Sequence, residues 1–433
     1  MIKNKVVKNA SWIIGCKIFQ AILSIIVSML TARYLGPSTF GVINYASSLV
    51  AFVTPLMQLG LTGVLVRELV THPDKEGETL GTSVFMSLIS AVLSIGGVVA
   101  FAAIANAGER VTIIVCALYS LLLLSQALET IQYWFQAKYL SKYTSILMLV
   151  AYSVTTLYKI YLIVTEKSVY WFALSHAIDY LIVAVGLLIF YKKFGNQKLS
   201  VSIKRAGELL SKSKYYILSD LMLVVFAQVS KILLKLLIDE AAVGYYSAAL
   251  ACIGATSFVY LAIIDSMRPL IFESRENGSR ENFEKNVKIL YSIMIFVSFM
   301  QSIVFCLGAE LIIKLLYGTE FLPAVNVLRI LAWYTPFSYL GNVRNIWILA
   351  ENKQKYLWII NLLGAIFSIV TNFALIPFMG VFGAAVSAVA TQGFTNLIVG
   401  FIIKPIRYNN KLLLGALNPK TLIEGAKKIL KRK

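Results

Sequence analysis

Two stretches of this sequence place polar and charged side chains at helical spacing inside otherwise apolar runs. In the first, the polar positions recur every three or four residues and are Lys17, Gln20, Ser24, Ser28 and Thr31. In the second, one helical face would carry Asp220, Gln228, Lys231 and Lys235. Because hydrocarbon does not solvate such groups, each face predicts the lining of a polar interior.

The lysines on these two faces suggest that the interior binds an anion. The candidate substrate-binding residues are therefore Lys17, Gln20, Ser24, Gln228, Lys231 and Lys235. Lys231 and Lys235 lie about one helical turn apart and are the strongest candidates. The alternative for Lys235 is snorkelling, because it lies near the predicted outer end of its helix and its long stem can reach the lipid headgroups.

Ionisable residues in other apolar runs add to these candidates. Lys159 is a further candidate for substrate binding. His176 and Asp179 are three residues apart on one predicted helix, so they could form a protonatable pair that couples transport to the proton gradient. A hydrogen-bonded lock between helices is an alternative interpretation of this pair. The sequence also allows an ion pair between Lys159 and Asp179.

Arg329 is the last candidate for substrate binding, and it lies near the start of a predicted span. Its guanidinium group can bind a phosphate through two parallel hydrogen bonds. Anchoring of the outer end of its helix is an equally good interpretation.

The composition requires a membrane around these residues. Of the 433 residues, 58% are hydrophobic and 14% are charged, and the mean hydropathy is +0.77. Soluble domains carry about 25% charged residues. The net charge of +19 would suit nucleic acid, but the basic residues lie mostly in short loops and at the C-terminus. That distribution is the positive-inside pattern of a polytopic membrane protein, so no nucleic-acid partner is expected.

The apolar runs predict about twelve membrane-spanning helices. These cover residues 9–32, 42–66, 80–105, 111–135, 145–164, 170–191, 215–238, 244–270, 287–308, 324–349, 356–376 and 383–403. A cytoplasmic N-terminus places most Lys and Arg residues on the inner side. Both termini are then cytoplasmic, and the turn at Gly36-Pro37-Ser38, between the first two spans, faces outward.

A basic connection, residues 191–214, divides the spans into two equal groups. We therefore predict an N-terminal half in residues 1–200, a C-terminal half in 201–403 and a basic amphipathic cytoplasmic tail in 404–433. Two halves of about six helices each, in equal orientation, form the parallel-repeat plan of secondary transporters, with a central cavity between them. The connection itself predicts either a short helix on the anionic lipids of the inner leaflet or a solvated basic linker.

The sequence gives no support for catalysis. It lacks the GxxxxGK[ST] phosphate-binding loop, HExxH and GxSxG. The four cysteines lie inside apolar runs without CxxC spacing, so neither a disulfide framework nor a metal site is indicated. We expect a protein that is not an enzyme and needs no cofactor. The alternative, a membrane polysaccharide polymerase or ligase, would need a folded external loop, and the predicted outward loops are short.

Two segments resemble a known family. The segment from Asn9 to Leu69, with RYLGPSTFG followed by NYASSLV, closely resembles the start of Wzx-type polysaccharide flippases. The segment from Ile312 to Trp333, IIKLLYGTEFLPAVNVLRILAW, is similar to the family's connection between its ninth and tenth helices. The first motif is typical of the whole multidrug, oligosaccharidyl-lipid and polysaccharide exporter superfamily, and the second favours its polysaccharide branch.

This resemblance implies a MATE-like all-α fold and a flippase in the bacterial inner membrane. Such proteins translocate undecaprenyl-pyrophosphate-linked oligosaccharide repeat units for O-antigen, capsule or exopolysaccharide assembly. The expected partners are the lipid-linked substrate, H⁺ or Na⁺ as a coupling ion, and the polysaccharide polymerase and chain-length machinery. The alternative is a cation-coupled multidrug exporter, which would use an acidic cavity, whereas Lys17, Lys159 and Lys231 predict a cationic one.

Overall fold

The protein is described by a computed structural model that covers residues 2–195 and 197–418, with side chains described from residue 19 onward except at 21 and 22. Within these ranges every regular element is a helix. The chain divides into two compact units, Met1–Gln228 and Val229–Lys433. The prediction of an all-α membrane protein is confirmed.

Unit 1 contains the helices of the first half of the chain. They are α1 (Ile2–Met57), α2 (Leu65–Thr71), α3 (Glu76–Ala105), α4 (Arg110–Ser120), α5 (Leu122–Glu129), α6 (Gln132–Ala137), α7 (Ser141–Val164) and α8 (Val169–Phe194). The next helix, α9 (Ile203–Leu237), begins in unit 1 and ends in unit 2. A buried cluster that includes Leu69, Leu80, Trp134 and Leu187 packs α2, α3, α6 and α8 together.

Unit 2 contains the remaining helices, and its core lies around α12 and α14. The helices are α10 (Glu240–Ala255), α11 (Ser257–Glu276), α12 (Arg280–Tyr317), α13 (Ala324–Leu331), α14 (Tyr334–Ala350), α15 (Leu357–Met379), α16 (Val381–Gly393), α17 (Val399–Ile402) and α18 (Arg407–Ala416). The core includes Tyr291, Trp347 and Leu412. A single turn of π-helix, Phe394–Ile398, connects α16 to α17.

Helix α1 is two helices joined at a sharp break. Gly36 has φ 72° and ψ 170°, a backbone conformation that glycine adopts far more readily than other residues. Pro37 follows, and its fixed φ suits the first turn of the next helix. On either side of the break, the Tyr34 hydroxyl donates to the Lys167 carbonyl at 3.0 Å and Asn106 Nδ2 donates to the Tyr45 hydroxyl at 3.1 Å. The break at Gly36 coincides with the turn that the sequence predicts at Gly36-Pro37-Ser38.

Ten stretches of described residues are long and apolar enough to cross a membrane, against about twelve predicted spans. Two features account for the difference. The stretch Leu23–Met57 contains the break at Gly36 and so includes parts of two predicted spans. The predicted span at 324–349, which consists of α13 and α14, is not one of the ten.

The break between α13 and α14 follows from Pro336. Proline has no N–H to donate to the carbonyl of Ala332, four residues earlier, so that carbonyl lacks its usual helical partner. It accepts instead from Ser302 Oγ on α12 at 2.7 Å and from the Thr335 N–H at 3.3 Å. A second group of α12, Cys306 Sγ, lies 3.4 Å from the carbonyl oxygen of Arg329 on α13. Polar groups of α12 thus compensate for the interruption.

The basic connection packs on the start of α3 in unit 1. Gln197 accepts from the Gly77 N–H and donates to the Pro73 carbonyl, both at 2.9 Å. A side chain at Gly77 would collide with the Lys198 carbonyl, so this close approach requires glycine. The predicted short helix of the connection is the first part of α9, which continues without interruption into the next span. Its contact with lipid stays a prediction.

A buried carboxylate, Glu68 on α2, holds the start of α9. Glu68 Oε2 lies 3.0 Å from an Arg205 guanidinium nitrogen, and Glu68 Oε1 lies 2.8 Å from Lys212 Nζ. Burial by itself would raise the pKa of Glu68, but the hydrogen bond from Lys212 and the charges of Lys212 and Arg205 outweigh it. The pKa of Glu68 is therefore held below its usual value.

The predicted cytoplasmic tail is described only as far as residue 418. Its described part includes α18, which packs on α12, where the Tyr291 hydroxyl and the Asn409 side chain are hydrogen-bonded. The amphipathic helix predicted from Pro419 onward lies outside the described residues.

Candidate functional site

Unit 1 contains a polar cavity of about 680 Å³. Its walls come from both parts of α1 and from α4, α5, α7, α8 and the first part of α9. The polar and ionisable lining residues are Gln20, Ser24, Ser47, Thr54, Gln58, Tyr119, Gln126, Tyr152, Thr155, Thr156, Lys159, His176, Asp179, Tyr180 and Asp220. Polar groups at this density inside apolar helices indicate a water-accessible site rather than a packing core.

Lys159 and His176 are in direct contact across this cavity. Lys159 Nζ on α7 lies 3.3 Å from His176 Nε2 on α8. An ammonium group has only donors, so the contact is a hydrogen bond when the imidazole presents an unprotonated Nε2. The Tyr119 ring on α4 lies beside the imidazole, with ring centroids 4.7 Å apart. Protonation of His176 would therefore break the bond and place two cations side by side.

Asp179 lies one turn further along α8 and has a different partner. Thr155 Oγ1 on α7 donates to Asp179 Oδ1 at 3.2 Å. The structure thus brings the two predicted coupling residues, His176 and Asp179, into one cavity, but each contacts a different residue of α7. Lys159 contacts His176 rather than forming an ion pair with Asp179.

Carboxylates line the same cavity as Lys159. Asp179 and Asp220 both line the cavity, whereas Lys159 is the only lysine or arginine among its described lining residues. Glu129, at the end of α5, is buried and is not among the described lining residues. The described cavity of unit 1 therefore has mixed charge, in contrast to the cationic interior that the sequence led us to expect.

The polar face predicted on the first span reaches this cavity through Gln20 and Ser24. Lys17 belongs to the same face of α1, but its side chain lies outside the described residues.

The predicted face on the seventh span is divided between several environments. Gln228 accepts a hydrogen bond from Ser48 Oγ at 3.1 Å in unit 1. Lys231 is half-buried in unit 2 and forms no ion pair within the part of the chain that is described. Lys235 is buried, and its ammonium lies 2.8 Å from Glu240 Oε1. Its charge is therefore engaged by a neighbouring carboxylate.

Arg329 lies in unit 2 and is not among the described residues that line the polar cavity of unit 1. It lines a separate apolar groove of about 540 Å³ together with Cys306, Ile330, Trp333, Val386, Val389 and Ala390. The predicted substrate-binding and coupling residues therefore occupy several places. Among those whose side chains are described, Gln20, Ser24, Lys159, His176 and Asp179 share one cavity.

Several cavity residues were not selected from the sequence. Asp220 was recognised as part of a polar helical face but not as a member of this site, and Tyr119 and Tyr180 gave no signal because isolated tyrosines are common in membrane helices. Gln58 follows the end of α1 and has no helical pattern to mark it. No group of three or more His, Cys, Asp or Glu side chains in the described residues could hold a metal ion.

Comparison with protein families gives a match over a large part of this chain. The model of the family described as polysaccharide biosynthesis protein matches residues 6–275. Among curated proteins, the uncharacterized membrane protein MJ1068 of Methanocaldococcus jannaschii is 25% identical over 229 residues, or 49% of this chain. That match covers 44% of the relative, so it spans less than half of the relative's length.

Solved transporters share the fold. The lipid II flippase MurJ, in an inward closed conformation, aligns with a TM-score of 0.68 and 15% identity, covering 97% of this chain and 93% of MurJ. An inward-facing multidrug resistance MATE family transporter aligns with a TM-score of 0.66 and 12% identity, covering 92% and 96%. A MOP superfamily transporter from Pyrococcus furiosus aligns with a TM-score of 0.62 and 12% identity, covering 95% and 96%. At these identities the likeness establishes the fold alone, and the predicted MATE-like class is confirmed.

Proposed function

This chain belongs to the polysaccharide biosynthesis protein family, and we propose that it is a flippase for undecaprenyl-pyrophosphate-linked oligosaccharide repeat units. It moves these across the bacterial inner membrane for O-antigen, capsule or exopolysaccharide assembly. Both termini lie in the cytoplasm, and the halves 1–200 and 201–403 alternate access by rocking. The chain is a carrier rather than an enzyme and works without a cofactor.

The polar cavity in unit 1 is the observation that carries this proposal. A lipid-linked oligosaccharide has a pyrophosphate and a glycan that hydrocarbon cannot solvate, so its carrier needs polar surface at membrane depth. The volume of about 680 Å³ is that of a typical small-molecule site and accommodates part of such a headgroup. Lys159 supplies a cation for the pyrophosphate, while Gln20, Ser24 and Tyr152 supply hydrogen-bonding groups for the sugar.

Lys231 is a second residue that we propose for anion binding, and it lies in unit 2. Its ammonium forms no ion pair with the described carboxylates, which leaves it available to an anionic group of the substrate. Lys17 and Gln228 are further proposed substrate-binding residues. Lys235 contributes less, because Glu240 already neutralises its charge.

His176 and Asp179 couple transport to a proton gradient in this proposal. His176 contacts Lys159 on α7 and Tyr119 on α4, and the other titratable groups that line its cavity are Asp179 and Tyr180 on α8, Tyr152 on α7 and Asp220 on α9. A proton taken up by His176 abolishes its hydrogen bond to Lys159 and frees the ammonium for a new partner. Proton binding and substrate binding are thereby linked through a single contact.

The proposal includes two further kinds of partner, lipids and proteins. The basic connection and the C-terminal tail contact anionic lipids of the inner leaflet. Polysaccharide polymerase and chain-length proteins receive the translocated repeat units on the outer side.

A cation-coupled multidrug exporter is the second candidate. Asp179 and Asp220 favour it, because two carboxylates in a low-dielectric cavity attract organic cations. Lys159 opposes it, since its ammonium lies in the same cavity. The two candidates therefore differ in the charge of the transported headgroup, which an experiment can resolve directly.

Reconstitution into liposomes tests the proposal. A fluorescent lipid-linked oligosaccharide is placed in both leaflets, and its accessibility to a membrane-impermeant quencher is followed over time. We expect complete quenching with the protein and half quenching without it. Uptake of the cationic dye ethidium serves as the competing measurement. Transport of ethidium without movement of the lipid-linked sugar would establish the exporter instead.

A further inference from the structure

Unit 2 has a groove whose lining is apolar except for one arginine and one thiol. We call it the Arg329 groove, and its lining residues are Cys306, Arg329, Ile330, Trp333, Val386, Val389 and Ala390. Helices α12, α13 and α16 supply these side chains, with Trp333 at the break between α13 and α14. The groove has a volume of about 540 Å³, within the range of lipid and drug sites.

The surface beside this groove is built to contact hydrocarbon. On α12, the apolar side chains of Ile303, Leu307 and Leu311 are exposed at intervals of four residues, and Leu307 is 82% exposed. Such a stripe on a membrane-spanning helix faces lipid chains. The groove is therefore open to the lipid phase.

Arg329 lies at a depth that lets it reach the membrane surface. It is five residues beyond the start of α13 at Ala324, about 8 Å along the helix axis. In the proposed orientation this end of α13 is the outer one, and an arginine stem spans such a distance to the headgroup layer. Trp333, which is 41% exposed, provides an aromatic ring of the kind enriched near the interface.

The guanidinium group of Arg329 retains free donor capacity. Its NH1 donates to Asn326 Oδ1 at 3.0 Å, one turn earlier on α13. None of the described carboxylates forms an ion pair with Arg329. With five N–H donors and one such acceptor, the group can still hold an anion through two parallel hydrogen bonds, for which a phosphate has the matching geometry.

We propose that the Arg329 groove binds a glycerophospholipid of the outer leaflet, with its phosphate on Arg329 and an acyl chain along Ile330, Val386 and Val389. The groove provides a cation for the phosphate and an apolar wall for the chain. It offers almost no polar surface for a glycan, so a bilayer phospholipid fits better than a lipid-linked oligosaccharide. This site is separate from the proposed transport function and holds a resident lipid.

Fluorescence quenching by brominated lipids tests this site, with Trp333 as the reporter. Purified full-length protein is titrated with dioleoyl-phosphatidylglycerol brominated on its acyl chains, and in parallel with brominated diacylglycerol, which lacks the phosphate. The part of the quenching that is absent in Trp333→Phe is assigned to lipid bound in the groove. We expect phosphatidylglycerol to quench this component at a concentration about tenfold lower than diacylglycerol does.

Variants then separate the phosphate from the chain. Arg329→Ala should remove the preference for phosphatidylglycerol, and Ala390→Phe should weaken quenching by both lipids because the added ring occupies the groove. Asn326→Ala removes only the hydrogen-bond acceptor of the Arg329 guanidinium, so it should reduce the preference for phosphatidylglycerol less than Arg329→Ala does. Arg110→Ala is the matched control, because Arg110 is an exposed arginine at the start of α4 in unit 1.

Three results would overturn the assignments made for this groove. Equal quenching by the two lipids in the unmodified protein, or an unchanged preference in Arg329→Ala, would overturn the assignment of the phosphate. Unchanged quenching in Ala390→Phe would overturn the assignment of the acyl chain.

Discussion

Lys159 Nζ and His176 Nε2 lie 3.3 Å apart on adjacent helices of unit 1. This contact requires an unprotonated acceptor nitrogen, because the ammonium group can only donate. The same lysine is the only cation among the described residues that line the polar cavity. The protonation state of His176 therefore controls whether the cation of the cavity is engaged by the protein or available to a ligand.

Removal of Lys159 should impair transport of an anionic headgroup. We expect Lys159→Ala to slow translocation of a lipid-linked oligosaccharide in liposomes by about tenfold or more, because the substrate loses one charge-assisted hydrogen bond. Lys159→Arg should retain part of the rate, because it keeps the charge with altered geometry. Lys75→Ala, at an exposed lysine between α2 and α3, is the control. Equal rates in Lys159→Ala and the control would exclude Lys159 from the site.

Asp179 should connect the cavity to the proton gradient. We expect Asp179→Asn to retain translocation in the absence of a gradient but to lose the response to an imposed pH difference, because the amide keeps the contact with Thr155 and cannot titrate. His176→Gln should lose the response as well. The measurement is the initial translocation rate with and without a pH step. A response of normal size in both variants would contradict proton coupling through this pair.

The ion cluster around Glu68 should stabilise unit 1. Arg205→Ala leaves a buried carboxylate with one fewer partner, so we expect the free energy of unfolding to fall by about 3 kcal/mol. Denaturant unfolding in detergent measures this change. Glu166→Gln, at an exposed loop position between α7 and α8, should have little effect. A loss no larger than that of the control would show that the cluster contributes nothing.

The same cluster predicts a pH dependence of stability. The pKa of Glu68 is lower in the folded protein than the value of about 4.3 expected for the unfolded chain. The stabilisation is therefore present above that pH and is lost as the pH falls through the folded-state value. Unfolding measured between neutral and acidic pH should show a steeper decline in the unmodified protein than in Glu68→Gln, and parallel curves would refute this assignment.

Ser302 should stabilise the break between α13 and α14. In Ser302→Ala the carbonyl of Ala332 keeps only the longer hydrogen bond from Thr335, so we expect a loss of about 1 kcal/mol in unfolding free energy. Ser266→Ala is a matched control, because Ser266 donates within its own helix to Ala262, whose carbonyl can also be bonded by the backbone. Similar losses in the two variants would show that the contact across helices has no special role.

The sequence by itself determined the class of this protein. Long apolar runs have to become helices in a membrane, because hydrocarbon offers no partners for free backbone groups. The glycine and proline at positions 36 and 37 marked the turn, and helical spacing identified Gln20 and Ser24 as a polar face. These features are local, so they can be predicted from neighbouring residues alone.

Only the tertiary structure decided which polar faces meet. A helical period of 3.6 residues groups side chains on one face but does not say which helix lies opposite. Packing brings Lys159 to His176 rather than to Asp179, adds Asp220 to the same cavity, and pairs Lys235 with Glu240. The charge of the cavity depends on these contacts between distant parts of the chain, and that is why its mixed character could not be predicted from the lysines alone.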